Sequence, residues 1–363
     1  LFPPRCFRYI DQLRYHLTKE FKMQPLLITM GDPTGIGPEL IVKTLLDGDL
    51  ASLPVPVRVI GDVAALKQAG QIFGIVARET AVAGPICRLD FNGQRLEVEA
   101  CSYLTPANLS YGKPDPACGR AMADYIDQAA QQCLSGSAQA MVTCPINKKA
   151  INAAGCSFPG HTEFLADRCG VKQVVMMLAG TRLKVCLVTT HLPLAAVAQQ
   201  LSVETILTTL RITHSALQNQ FALHRPRLAV LALNPHAGES GLFGDEEQRL
   251  ITPAIQAACA EGIAASGPHS ADTLFHFAVH KNSADAVICM YHDQGLIPLK
   301  LLHFDDAVNV TLGLPIIRTS VDHGTAYDLA GSGKASTASL RAALHMAAAM
   351  QKPQPLNDTD RKS

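Results

Sequence analysis

"ADAVICMYHDQGLIPLK", residues 284–300, is the stretch whose reading decides the fold. A short apolar run, Ala286 to Met290, passes without alternation into Tyr291, His292, Asp293 and Gln294. An unbroken apolar run of that length, stopped by polar residues and glycine, reads as a strand buried on both faces. The same grammar recurs in "PLLITM", "VPVRVIG", "QAMVTC", "QVVMMLAG", "LKVCLVTT" and "RLAVLAL". Between these runs, residues 116–135, 203–220 and 247–261 carry Ala- and Leu-rich helical patterns. Strands alternating with helices predict an α/β fold with a mostly parallel sheet covered on both faces.

Ligands gather beyond the carboxyl ends of strands in such sheets. Here "LLITM" runs into "GDPTGIGPE", "AMVTC" into "PINKKA", "VCLVTT" into "HLPL", "LAVLAL" into "NPHAGE" and "AVICM" into "YHDQG". Five strands are therefore expected to deliver Gly, His, Asn or Asp to one edge. His191, His236 and His292 each follow an apolar strand, and three neutral imidazoles from separate strands suit a divalent ion with open positions. A single histidine so placed would more often be structural, and no local helix geometry brings these three together.

Other segments admit two readings. In "PGHTEFLADRCG", residues 159–170, Thr162 is placed to cap a helix starting near Glu163, and the free N–H groups there suit an anion. Lys300 and Arg318 each end an apolar run, where a buried cation needs an anion, or else emerges into solvent. Asn309 is polar within an apolar strand. "GDPTGIGPE" joins a strand to a helix as phosphate-binding turns do, without a GxGxxG pattern, and "DHGTAYDLAGSGKAS" lacks P-loop spacing. Each is either a turn or a ligand loop.

Composition narrows the classes. The 363 residues suffice for two domains, with 48% hydrophobic and 17% charged residues and a formal net charge of zero. No basic cluster interleaved with aromatics favours nucleic acid, and no apolar stretch near 18 residues favours a membrane span. Eleven cysteines without CxxC spacing read as reduced thiols of a cytoplasmic protein, with Cys144 and Cys156 as core filler beside the site. Residues 1–22 differ from the rest and read as a dispensable extension.

Taken in order, "ITMGDPTGIGPEL", "PINKKAIN", "FPGHTEF", "TTHLPL", "NPHAGESGLFGDEE", "ADTLF", "MYHDQGLIPLK" and "VNVTLGLPIIRTSVDHGTAYDLAGSGKA" closely resemble the 4-hydroxythreonine-4-phosphate dehydrogenase family of vitamin B6 biosynthesis. The resemblance runs from about residue 25 to residue 350, and two of its loops resemble those of isopropylmalate and isocitrate dehydrogenases. It implies a two-domain α/β/α architecture with a cleft between domains and a non-Rossmann cofactor site. Domain one would comprise residues 23–145 plus 303–363, and domain two residues 146–302.

The resemblance also implies roles. His191, His236 and His292 would hold a divalent metal (Zn, Mg or Co). His161, Thr162, Lys300, Asn309 and Arg318 would bind substrate. Asp272, Asp293 and Lys300 would serve catalysis, and His323, Gly324 and Asp328 would bind NAD or NADP. The implied reaction is oxidation of 4-phosphooxy-L-threonine followed by decarboxylation to 3-amino-2-oxopropyl phosphate, in a homodimer with the site at the interface. A D-threonate or D-erythronate 4-phosphate dehydrogenase is the neighbouring reading, and a metallohydrolase of a phosphorylated substrate the remote one. The sequence separates neither NAD from NADP nor the amino acid from the sugar acids.

Overall fold

The computed structural model describes residues 23–156, 158 and 160–353. The extension at 1–22, Pro159 and the last ten residues of the domain-one range lie outside the described residues. Among the described residues thirteen strands form one mixed sheet in the order β10-β9-β11-β8-β7-β12-β13-β6-β1-β2-β5-β4-β3, numbered along the chain.

The apolar runs form strands where the sequence places them. They give β1 (Leu26–Thr29), β2 (Val57–Asp62), β6 (Ala140–Thr143), β7 (Val175–Ala179), β8 (Lys184–Leu187), β9 (Arg227–Leu231) and β11 (Ala286–Cys289). All four residues of β1 are buried, between parallel neighbours β2 and β6. Each such leucine or isoleucine contributes about 1.5–3 kcal/mol of burial.

The helices follow their local signals. The first, α1 (Gly37–Leu46), and α2 (Val63–Ile72) follow β1 and β2. Helix α3 (Pro116–Leu134) opens with Asp115 accepting from the Cys118 N–H at 2.9 Å and Pro116 in the first turn. It buries Met122, Tyr125, Ile126 and Ala129, one stripe at helical spacing. The stretch 247–261 begins with a π-helical turn, Glu247–Ile251, before an α-helix over Thr252–Ala260.

Three strands stand outside that reading: β3 (Arg78–Ala83), β4 (Ile86–Phe91) and β5 (Gln94–Ser102). They pair antiparallel at one edge of the sheet. Asn92 and Gly93, with φ of 52° and 93°, make the two-residue turn between β4 and β5. The remaining strands are β10 (Ala264–His269), β12 (Val308–Leu312) and β13 (Arg318–Val321).

Strand direction corrects one expectation. Strand β12 lies antiparallel to both β13 and β7, and β7 is antiparallel to β8. Strands β8, β11, β9 and β10 are parallel to one another. Following these pairings across the sheet, that group runs opposite to β13, β6, β1 and β2. The two groups thus run in opposite directions, yet Lys148 after β6, His323 after β13, His191 after β8 and His292 after β11 line one cleft. An apolar run records burial and carries no sign of direction, so the reversal is invisible in the sequence.

Candidate active site

A cleft of about 550 Å³ lies over one face of the central strands. The pairing register explains its floor. Leu178, Asn309, Ser320 and Thr143 align across β7, β12, β13 and β6, and Met176, Thr311 and Arg318 align in a second row. Side chains two residues apart share a face, so these rows present one polar surface.

Arg318 occupies its centre and is only 3% exposed. Its guanidinium donates to Thr311 Oγ1 at 3.0 Å and to Thr143 Oγ1 at 2.8 Å. Its Nε has no partner, and Arg318 makes no ion pair among the described residues. Burial lowers the guanidinium pKa to about 10, against a smaller opposing effect of Glu163. Neutral hydroxyls cannot match a buried cation, which leaves it suited to an incoming anion. Asn309 Oδ1 and His161 Nε2 in the same cleft are also buried without partners.

His161 opens helix α5 (His161–Cys169). Thr162 was expected to cap this helix. It lies instead in the first turn, with Gly160 at the cap and no side-chain capping bond. A Cβ on Gly160 would stand 3.2 Å from Glu163 Oε2 and 3.3 Å from Lys148 Cε, so a bulkier cap would have to displace both side chains. The first-turn N–H groups of α5 are thereby left to a ligand. Burial, then Arg318 and Lys148, hold the His161 imidazole well below its ordinary pKa, so it is neutral at pH 7.

The rim carries the imidazoles. His191, His236 and His292 leave β8, β9 and β11, and β11 lies between the other two in the sheet. The rings of His191 and His292 are 5.7 Å apart. Burial is the first cause lowering the His191 pKa, with Lys148 and His292 adding to it. His292 Nδ1 meets Asp293 Oδ1 at 2.7 Å, which orients the ring and leaves Nε2 for a ligand.

His236 is not brought to this cleft. It sits exposed in the turn Pro235–Gly241, where six successive residues, His236 to Gly241, have positive φ, its ring 6.4 Å from that of Phe243. Asp272, also exposed, is outside the cleft and close enough to His236 to feel its charge. The Ser270 hydroxyl, donating at 2.7 Å, is the main cause holding the Asp272 carboxyl below its usual range. Among the described residues no three His, Cys, Asp or Glu side chains are close enough together to enclose a metal.

Lys300 was expected near a strand end and is instead in the last turn of the helix His292–Leu302. That helix spans the cleft, separating His292 from Lys300 by about 12 Å at 1.5 Å per residue. Lys300 Nζ is held by Asp322, at 2.6 Å from Oδ2 and 3.3 Å from its carbonyl oxygen. His323 and Gly324 line the cleft, whereas Asp328 lies farther along the same loop, exposed. Cys144 is fully buried and its thiol is pushed up to about 12, so it fills space.

The floor also contains residues that the motif reading passed over: Lys148, Glu163, Thr143, Ser320 and Asp322. Lys148 follows the end of β6 in "PINKKA", a strand end already singled out, and that was its available signal. A larger groove of about 1290 Å³, lined by Cys133, Gln139 and Arg211 among others, contains none of the histidines.

With this geometry established, similarity to known proteins becomes informative. The family model described as pyridoxal phosphate biosynthetic protein PdxA matches residues 54–347. A 4-hydroxythreonine-4-phosphate dehydrogenase of Geobacter metallireducens is 55% identical over 334 residues, covering 90% of this chain and 95% of the relative. The enzyme of that name from Trichlorobacter lovleyi is 49% identical, over 89% of this chain and 96% of its own length. The crystal structure of the Klebsiella pneumoniae 4-hydroxythreonine-4-phosphate dehydrogenase superimposes with a TM-score of 0.77 at 38% identity, over 91% of this chain and 99% of that one. A terephthalate 1,2-cis-dihydrodiol dehydrogenase from Burkholderia xenovorans is more distant, at 27% identity and a TM-score of 0.61, covering 90% and 98%. The buried cationic floor and its imidazole rim thus sit in a chain that belongs to the PdxA family of pyridoxal phosphate biosynthetic proteins.

Proposed function

We propose that this chain oxidises the secondary alcohol of 4-phosphooxy-L-threonine with NAD or NADP, giving 2-amino-3-oxo-4-phosphooxybutanoate. The observation that carries this reading is the buried, ion-pair-free Arg318 beside neutral His161, on a floor that faces the paired imidazoles of His191 and His292. The substrate has a carboxylate and a phosphate, and such a floor suits one of them while the alcohol is presented to the rim.

The donor set fits a divalent ion (Zn, Mg or Co). His191 is held neutral, so a ring lone pair is available, and Asp293 orients the ring of His292. His191 and His292 would hold the ion, and His236, outside this cleft in the single chain, would complete the set as third ligand from the second copy in a homodimer. A bound ion there supplies Lewis acidity toward the substrate hydroxyl, and the nicotinamide supplies the hydride acceptor. Arg318 and the first turn of α5, with Thr162, fix the anionic end. Asn309 Oδ1, buried and unpaired, accepts from a substrate N–H or O–H. Lys148 stands over Gly160 beside His161 and is placed to move a proton at the cleft mouth. His323 and Gly324, with Asp328, form the cofactor face. Asp272 and Lys300 act from outside the floor, Asp272 beside His236 and Lys300 through Asp322. The oxidised product is a 3-oxo acid, whose carboxylate leaves as CO₂ to give 3-amino-2-oxopropyl phosphate.

Two organisational readings accompany this one. The chain divides into residues 23–145 with 303 onward, and residues 146–302. Sheet order supports the division: β7–β11 occupy one side, β1–β6 the other, and β12–β13 lie between. The chain works as a homodimer, a reading supported by Leu194, Ile297, Leu301 and Phe304, which are 66–85% exposed on the segments that follow the rim histidines.

Assay of reduced cofactor at 340 nm tests the substrate. The reading requires 4-phosphooxy-L-threonine to be turned over with a higher kcat/KM than D-threonate or D-erythronate 4-phosphate. The reverse order would make this a sugar-acid phosphate dehydrogenase.

A further inference from the structure

The motif "GDPTGIGPE" resembles a phosphate-binding turn but is already occupied by internal contacts. Asp32 is fully buried, and its Oδ1 accepts from the Thr34 N–H and the Thr34 hydroxyl, both at 2.8 Å. Its Oδ2 accepts from the Tyr327 hydroxyl at 2.5 Å. The same Tyr327 oxygen accepts from Asn147 Nδ2 at 2.5 Å. Asn147 Oδ1 in turn caps α4 (Lys148–Ala153), accepting from the Ala150 N–H at 2.8 Å. One phenol therefore ties together the ends of β1, β6 and β13, three adjacent strands.

Backbone contacts reinforce the tie. Ile36 N–H donates to the Thr325 carbonyl at 3.1 Å, and a Cβ on Gly35 would come within 3.1 Å of the same oxygen. Gly331 N–H donates to Glu39 Oε2 at 2.9 Å, and Lys43 Nζ donates to the carbonyls of Gly333 and Ala335. Burial first, then Asp32, push the Tyr327 pKa up to about 12, so at neutral pH its single proton remains available to the carboxylate.

We propose that Tyr327 is a positioning residue for the nicotinamide cofactor, its hydroxyl locking the 322–328 loop to Asp32 and to the Asn147-capped helix that carries Lys148. This rests on the reading of His323, Gly324 and Asp328 as the cofactor face. The phenol touches no substrate. It holds the loop in the bound shape before the cofactor arrives, and its loss is felt as weaker cofactor binding.

Calorimetric titration with NAD and NADP, beside steady-state kinetics, tests this on the full chain with Tyr327→Phe, which retains the ring and removes the hydroxyl. The Kd and the KM for the cofactor should both rise about tenfold, one hydrogen bond's worth, while the KM for 4-phosphooxy-L-threonine stays within about twofold. Asn147→Asp retains the helix cap and removes the donor. It should shift the same KM, and it decides the matter if Tyr327→Phe does not fold. A cofactor KM raised by Asp328→Ala but not by Tyr327→Phe would overturn the positioning role and leave the cofactor face intact. If neither variant changes it, both fall. An equal loss of kcat, both KM values and thermal stability in Tyr327→Phe would mark a general packing role and also overturn the proposal.

Discussion

Two triplets of adjacent strand ends, from strands that run opposite ways in one sheet, have been put to different uses. In one triplet β9, β11 and β8 lead into His236, His292 and His191, which are partly or wholly exposed. In the other, β13, β6 and β1 end in a closed network, Tyr327–Asp32–Asn147, in which each polar group has a partner. The first triplet leaves its rings accessible, and the second pairs Asp32, Asn147 and Tyr327 with one another. Both arise from the same sequence grammar, an apolar run followed by polar residues and glycine. Chemistry therefore depends on which polar atoms the fold leaves unpartnered.

Removing a member of the open triplet should have the largest effect. His292→Ala is expected to lower turnover at least about a hundredfold and to reduce bound metal, read by kinetics and by metal analysis of the purified protein. Full metal content with near wild-type turnover would remove His292 from the ligand set. Arg318→Ala is expected to raise the substrate KM by about 10–100-fold with a smaller effect on kcat, the loss of a charge-assisted contact. Its apo form should not be destabilised as a broken ion pair would be, because Arg318 has no carboxylate partner to strand. Urea unfolding of the variant checks that second part.

Smaller effects sharpen the contrast. Asp293→Asn leaves a neutral acceptor beside His292 Nδ1, and metal affinity should fall about tenfold. The reading would be contradicted by unchanged affinity in a direct titration. Acid should act through the cleft histidines. His161 and His191 have folded pKa values below the unfolded value, so their contribution to stability is fully present above about pH 6.5. It is lost as pH falls from there toward the lowered values, because the unfolded chain takes up protons that the folded one refuses. Urea midpoints at pH 7.5 and 5.5 should show this loss, reduced in His161→Gln.

Much of this was legible in the residues. The buried strands could be read because they lie between two layers and contain almost nothing polar, and Arg318 and Asn309 because a polar group in an apolar run needs a reason, whereas His161 stood out through the helix-start pattern of "PGHTEF". The hairpin at Asn92–Gly93 lay outside the strand reading, although an Asn-Gly pair is an ordinary turn signal. Strand direction was not legible, since β12 inserts from a distant part of the chain and reverses the order around it. Nor was the fate of Lys300, whose ammonium is taken by Asp322, twenty-two residues away. Thr162 looked like a cap by local pattern, but the crowding of Lys148 and Glu163 over Gly160 is a tertiary fact.

The most direct test of the account measures reduced cofactor at 340 nm with 4-phosphooxy-L-threonine, in the presence of a divalent ion and after its removal by chelation. The account predicts metal-dependent formation of NADH or NADPH, lost in His292→Ala and restored to wild-type protein by returning the ion. Release of inorganic phosphate without reduced cofactor, or turnover indifferent to chelation, would contradict it.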